Sequence, residues 1–168
     1  MTASESKTKT SGKLALRLCI FLVCAALMVA CQSNQGTGSA ENALQSYFAA
    51  LNAGRYEKAN RLFGGGYDTL TGWNPDIDPG DHVALWEAGC SRNGLQCLRV
   101  RSFSLKEHTG DIYLFTVEFT NPDGALFVRG PCCGADETEM PSTSKFEVRV
   151  QESEDGKYLV LDLPVYIP

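Results

Sequence analysis

The chain has 168 residues, with 15 Lys and Arg against 20 Asp and Glu and a formal net charge of −5 at pH 7. That length suits one domain near the usual ~100–150 residues, able to bury roughly two-thirds of its unfolded surface. The acidic balance argues against nucleic-acid binding, which needs clustered Lys and Arg, and leaves no basic patch for an anionic lipid surface.

Residues 1–17 hold Lys7, Lys9, Lys13 and Arg17 against Glu5, residues 18–27 are uninterrupted apolar, and Met28-Val29-Ala30-Cys31 closes the run. A basic start, an apolar middle and a small-residue cut form the layout of an export signal. The apolar run is short of the ~20 residues of a transmembrane helix. Its end resembles the lipobox of bacterial lipoproteins, with an apolar residue at −3, small residues before the cut and cysteine at +1. Met28 at −3, where leucine is commoner, is a departure. The resemblance implies a lipoprotein signal peptide over 1–30, lipidation of Cys31, and a protein held outside the cytoplasm on the bacterial cell membrane or outer membrane. Removing 1–30 leaves eleven basic against nineteen acidic side chains, a net −8, so attachment must come from the acyl chains.

Segment 31–39 reads as the lipidated cysteine and a flexible tether, because Gln32 to Gly38 is polar and glycine-bearing. The domain is then expected over 40–168. Ser39 is suited to cap a helix with Glu41 in its first turn. Leu44, Tyr47, Phe48 and Leu51 follow at the spacing of one buried helical face, and Gly54 fits a left-handed helix end. Tyr56, Ala59, Leu62 and Phe63 repeat the pattern for a shorter helix, ended by Gly64-Gly65-Gly66. Residues 67–80 read as loop. A third helix is expected from Asp78 as N-cap with Pro79 at the first position, carrying Val83, Leu85 and Trp86 and stopped by Gly89.

From Leu95 the apolar period becomes two. Leu98 and Val100 share one parity and Phe103 and Leu105 the other, which predicts a bulge near Arg101-Ser102. Tyr113, Phe115, Val117 and Phe119 alternate with polar or outward residues as a strand. Asn121-Pro122-Asp123-Gly124 is a turn, and Ala125 to Arg129 returns as a short strand. Residues 131–144 are an irregular excursion, followed by strands over Lys145 to Gln151 and Tyr158 to Leu163. Helices first and strands afterwards give an α+β fold with an antiparallel sheet.

Of seven cysteines, Cys19 and Cys24 lie in the signal and Cys31 is the lipidation candidate, which leaves Cys90, Cys97, Cys132 and Cys133. An even count in an exported chain reads first as disulfides. The spacing lacks the paired CxxC-like knuckles of zinc sites, so neither metal nor cofactor is expected. Adjacent residues have Cα atoms ~3.8 Å apart, below the ~4.4–6.8 Å disulfide window. The two pairings in which Cys90 and Cys97 each reach the 132–133 pair are therefore favoured, and sequence does not choose between them. One bridge with two free thiols, or redox or metal use of the adjacent pair, is the alternative.

Residues 43–63, ALQSYFAALNAGRYEKANRLF, resemble the opening of NTF2-like domains found in secreted bacterial lipoproteins. The matching features are the aromatic pair Tyr47-Phe48, the run Leu51-Asn52-Ala53-Gly54, then Tyr56 and Ala59. The resemblance implies a cystatin-like α+β domain with N-terminal helices packed on a curved antiparallel sheet, a cone whose open end takes a ligand or docks a protein. Isomerase-like and dehydratase-like members place an Asp or His deep in that cone.

His82 and Asp162 are the candidates for such an acid or base. Asp162 shares the parity of Tyr158 and Val160, so burial would raise its pKa. Trp73 and Trp86 are candidate pocket walls, and His108 reads as a solvated turn residue. No P-loop, nucleophile elbow or zincin motif is present. The expected function is a membrane-anchored extracytoplasmic binding or interaction module without catalysis, its partner a small apolar ligand or an envelope protein. The alternatives are an isomerase-like or dehydratase-like enzyme using Asp162 or His82, and a thiol-redox or metal-handling lipoprotein using Cys132-Cys133.

Overall fold

The apolar stripe after Ala40 becomes the buried face of helix α1, whose described part runs over 36–52 in the computed structural model. The structure describes residues 36–168; the signal-like segment and Cys31 lie outside them. Apart from the first residues of α1, every element lies in the compact unit Ser39–Pro168. Ala40, Leu44, Tyr47 and Phe48 are fully buried. Ser39 does not cap α1: the chain is already helical at 36, so this helix takes up part of the expected tether. Gly54 closes α1 in the left-handed region at φ +65°, as its position predicts.

Helix α2, Tyr56–Asn60, buries Ala59, and Leu62 and Phe63 follow it in a turn. Helix α3, Asp68–Trp73, lies where sequence predicts loop. It has six residues, one of them buried (Leu70), and no capping side chain, so it leaves no periodic signal. Helix α4, His82–Ser91, starts after the expected cap. Asp81 caps it by accepting from the Ala84 N–H at 3.0 Å, while Asp78 accepts from the Gly80 N–H at 2.8 Å in a preceding turn. Gly89 does not stop α4. A Cβ there would lie 2.9 Å from Leu95 Cδ1 and 3.0 Å from Leu70 Cδ2, so glycine admits a close approach instead.

Four antiparallel strands form one open sheet in the order β1-β2-β3-β4. They are β1 (Arg99–Thr109), β2 (Ile112–Thr120), β3 (Phe146–Glu152) and β4 (Tyr158–Val160). The fold is α+β. The register of β1 on β2 shifts between Val100 and Ser102, where the parity change predicts it, and again between Leu105 and Glu107. Strand β2 alternates as predicted, with Tyr113, Phe115, Val117 and Phe119 buried. Residues 125–129 do not form the predicted strand. They make only isolated bridges, Leu126 with Thr120 and Arg129 with Thr143. Strand β4 is shorter than predicted: the Leu161 N–H still donates to Arg149 O in register, but the Arg149 N–H donates to the Asp162 carboxylate instead of to a β4 carbonyl, and the ladder ends there.

Helix α1 joins the layers. Phe48 meets Phe119 of β2 edge-on at 4.9 Å, and Tyr47 meets Trp86 of α4 at 5.9 Å. The C-terminal tail pairs back on the segment after α4, with Gln96 N–H donating to Val165 O at 2.7 Å and Ile167 N–H to Gly94 O at 3.0 Å. No described helix is long and apolar enough to cross a membrane.

Candidate functional site

The four residues singled out for a pocket do not converge. Trp86 is fully buried in the core, with its Nε1–H donating to Tyr67 Oη at 3.1 Å. His82 lies flat on the Tyr67 ring at 3.8 Å, and the Asp81 carboxylate is occupied by the helix cap, so no His–Asp pair forms. Trp73 is half-buried and stacks on Tyr166 at 4.7 Å.

Asp162 is not an isolated buried acid. Its side chain is 25% exposed and sits in a two-pronged ion pair with Arg149, NH2 to Oδ1 at 2.6 Å and Nε to Oδ2 at 3.1 Å. Its Oδ2 also accepts the Arg149 N–H at 2.7 Å. These bonds hold the Arg149 guanidinium above its usual pKa. The parity argument fails because the chain has left the β4 ladder before Asp162. His108 is exposed at the end of β1, stacked on Tyr113 at 4.0 Å, rather than free in a turn.

The cysteines also pair otherwise than expected. Cys90 and Cys97 form a disulfide, with Cα atoms 5.6 Å apart, and Cys132 and Cys133 are free thiols. The reversal after α4, through Gly94 at φ +80°, carries Cys97 back beside Cys90. Neither cross-pairing forms, because the two sets line different clefts.

Cys132 and Cys133 belong to a cleft of about 540 Å³ at the β2–β3 end of the sheet. Phe48, Phe119 and Phe146 give it an aromatic wall, with Phe119 and Phe146 5.8 Å apart. Arg129 supplies its distinctive charge. The guanidinium carbon stands 6.0 Å from the centre of the Phe146 ring, within reach of a cation–π contact. Its Nε is buried and has no hydrogen-bond partner. The two acids on the cleft are both engaged, Asp162 by Arg149 and Glu147 by Lys106. No described carboxylate is within ion-pair reach of Arg129. An apolar wall beside an uncompensated guanidinium can receive an anion with an apolar body.

Sulfur atoms form another edge of the cleft. Cys132 Sγ lies 2.9 Å from Cys133 Sγ and 3.9 Å from Met140 Sδ. Hydrogen bonding to Cys132 pushes the exposed Cys133 thiol above its ordinary pKa. Sequence analysis finds the cysteine pair but misses Arg129 and Met140. Arg129 reads there as the end of a strand and Met140 as part of an irregular loop, and neither belongs to a periodic pattern. The spacing of Met140 from the Cys132-Cys133 pair is the one available signal. No protein-family model matches the chain, and no curated protein matches it.

Proposed function

We propose that this chain is an extracytoplasmic bacterial lipoprotein, anchored through Cys31, whose NTF2-like domain binds a small apolar anion in the Arg129 cleft without catalysing a reaction. The observation that carries the ligand class is the buried, unpartnered Arg129 Nε beside an aromatic wall. An anion in the cleft would pair with the otherwise unpaired Arg129 guanidinium while its apolar body covers Phe146. The NTF2-like reading is supported by the order of helices and sheet, with Tyr47 and Phe48 packed as a helix on a sheet requires. The enzyme reading has less support, since Asp162 is held by Arg149 and His82 is stacked on Tyr67.

Decanoate and decanol separate the charge from the chain. By calorimetric titration, decanoate should bind and decanol should bind far more weakly. Arg129→Met should weaken decanoate by about 10- to 100-fold, the loss of one charge-assisted contact of roughly 1.5–3 kcal/mol. Equal binding of acid and alcohol, or of decanoate to both proteins, would rule out Arg129 as the ligand's anchor.

The anchor has its own test. Acyl chains contribute ~0.8 kcal/mol per buried CH2, so the lipidated protein should stay with membranes through an alkaline carbonate wash. Cys31→Ser should yield an uncut or soluble form. A Cys31→Ser protein that has lost residues 1–30 and still resists the wash contradicts lipid anchoring at this residue.

A further inference from the structure

We propose that Cys132, Cys133 and Met140 form an all-sulfur site for Cu(I) at the edge of the Arg129 cleft. The Cys132 sulfur stands 2.9 Å from the Cys133 thiol and 3.9 Å from the Met140 thioether. Both thiols are available, since the disulfide of this domain joins Cys90 to Cys97.

The backbone brings these atoms together. Successive side chains of an extended chain point to opposite sides. Cys133 departs from that, at φ 61°, the one non-glycine residue in the left-handed region among those described. Its turn sets the two sulfurs side by side. The excursion is closed at its base by paired bonds between Arg129 and Thr143, N–H to carbonyl in both directions at 2.9 Å. Inside it, the Asp136 carboxylate accepts from the Thr138 N–H at 2.8 Å and the Glu139 N–H at 3.1 Å. The Met140 N–H donates to Asp136 O at 2.8 Å, and Ala135 N–H to Cys132 O at 3.0 Å. Glu137 ties down the far side by accepting from the Ser142 N–H and Oγ at 2.9 and 2.6 Å. Met140 is therefore returned to Cys132 by a bonded loop.

The donor set selects the ion. Thiolate and thioether ligands are soft and favour Cu(I). Zinc takes four ligands drawn from Cys, His and carboxylates. No group of three or more His, Cys, Asp and Glu suited to a metal exists among the described residues. On binding, each thiol gives its proton to water and forms one S–Cu bond, and the Met140 sulfur donates a lone pair. No electron is transferred. Two thiolates and one monovalent cation leave a single negative charge, which the Arg129 guanidinium on the same cleft offsets.

The test uses the full chain, purified with its Cys90–Cys97 bridge intact and, where Cys132 and Cys133 have oxidised, reduced until two thiols are counted. Under anaerobic conditions, Cu(I) is titrated in competition with bicinchoninate, and sulfur-to-copper charge-transfer absorption is followed in the ultraviolet. One Cu(I) per chain is expected. Cys132→Ser with Cys133→Ser should abolish both signals, Met140→Leu should weaken binding about 10-fold, and excess Zn(II) should not displace the ion. Circular dichroism should be unchanged in the serine double variant, which separates loss of the sulfur site from loss of the fold. A wild-type protein that takes no Cu(I) from bicinchoninate, or a serine double variant that binds as tightly, overturns the proposal.

Discussion

Replacing Trp86 by Ala is expected to cost ~3–5 kcal/mol of stability, the range for truncating a fully buried aromatic ring. Trp86 has no exposed surface and stands at the centre of an aromatic cluster. Its ring is 5.1 Å from Phe63, 5.9 Å from Tyr47 and 6.0 Å from Tyr67, each edge-on. These neighbours come from α1, from the turn after α2 and from the residue before α3, so one truncation loosens every helical segment. The indole N–H adds a bond to Tyr67 Oη, and the Tyr67 hydroxyl in turn donates to Asn60 Oδ1. Trp86→Phe separates the two contributions. It keeps most of the ring and loses the bond, so about 1 kcal/mol beyond the volume change is expected. Urea unfolding followed by circular dichroism reads both, with the slope unchanged if only stability has moved. A loss under ~1 kcal/mol in the alanine variant would contradict the buried cluster.

Trp86 also shows where the sequence was legible. The Asp-Pro start with Val83, Leu85 and Trp86 as an apolar side identifies a helix, and Leu85 and Trp86 are both buried. Periodicity says that a residue faces apolar surroundings; it does not say whether those are a core or a cavity. The strands divide in the same way. The alternation over Tyr113 to Phe119 survives because sheet hydrogen bonds on both sides of β2 enforce it. At Asp162 the same parity argument fails, since no ladder extends past Val160 and a guanidinium on β3 turns the carboxylate toward itself. Helix α4 begins at the later of two Asp residues because Asp81, not Asp78, has a free N–H three residues ahead.

The site was less legible than the fold. Its charge and one of its sulfurs lie on segments whose shape is set by side-chain bonds to nearby backbone, above all those of Asp136 and Glu137. Such bonds leave no repeating pattern. Composition singled out Cys132 and Cys133 as disulfide partners of Cys90 and Cys97, whereas Cys90 pairs with Cys97 through a reversal at Gly94 that brings them within 5.6 Å. Strain at the adjacent pair argued against that pairing only if all four cysteines had to be oxidised. Two remain thiols, and the objection lapses.

Phe48→Ala should also cost ~3–5 kcal/mol, and it reports on a different junction. Phe48 is fully buried on α1 and meets Phe119 edge-on at 4.9 Å, the contact that seats this helix on β2. It also borders the Arg129 cleft, so its removal leaves a void that opens toward that cleft. Void formation adds to the lost transfer free energy where neighbours cannot collapse inward, and Phe119 is itself wedged against Phe146 at 5.8 Å. The cost should therefore fall toward the upper end of the range. Phe48→Leu retains most of the volume and loses the edge-on aromatic contact, worth about 0.5–1.5 kcal/mol beyond area, so it should lie well above alanine in urea midpoint. Tyr47 gives the control from the next position on α1, its ring 4.9 Å from that of Phe48, where burial pushes its hydroxyl pKa well up and its Oη donates to Asp162 O at 3.3 Å. Tyr47→Phe keeps the ring and should cost only about 1 kcal/mol. If Phe48→Ala unfolds no earlier than Tyr47→Phe, helix α1 does not rest on the sheet through this ring.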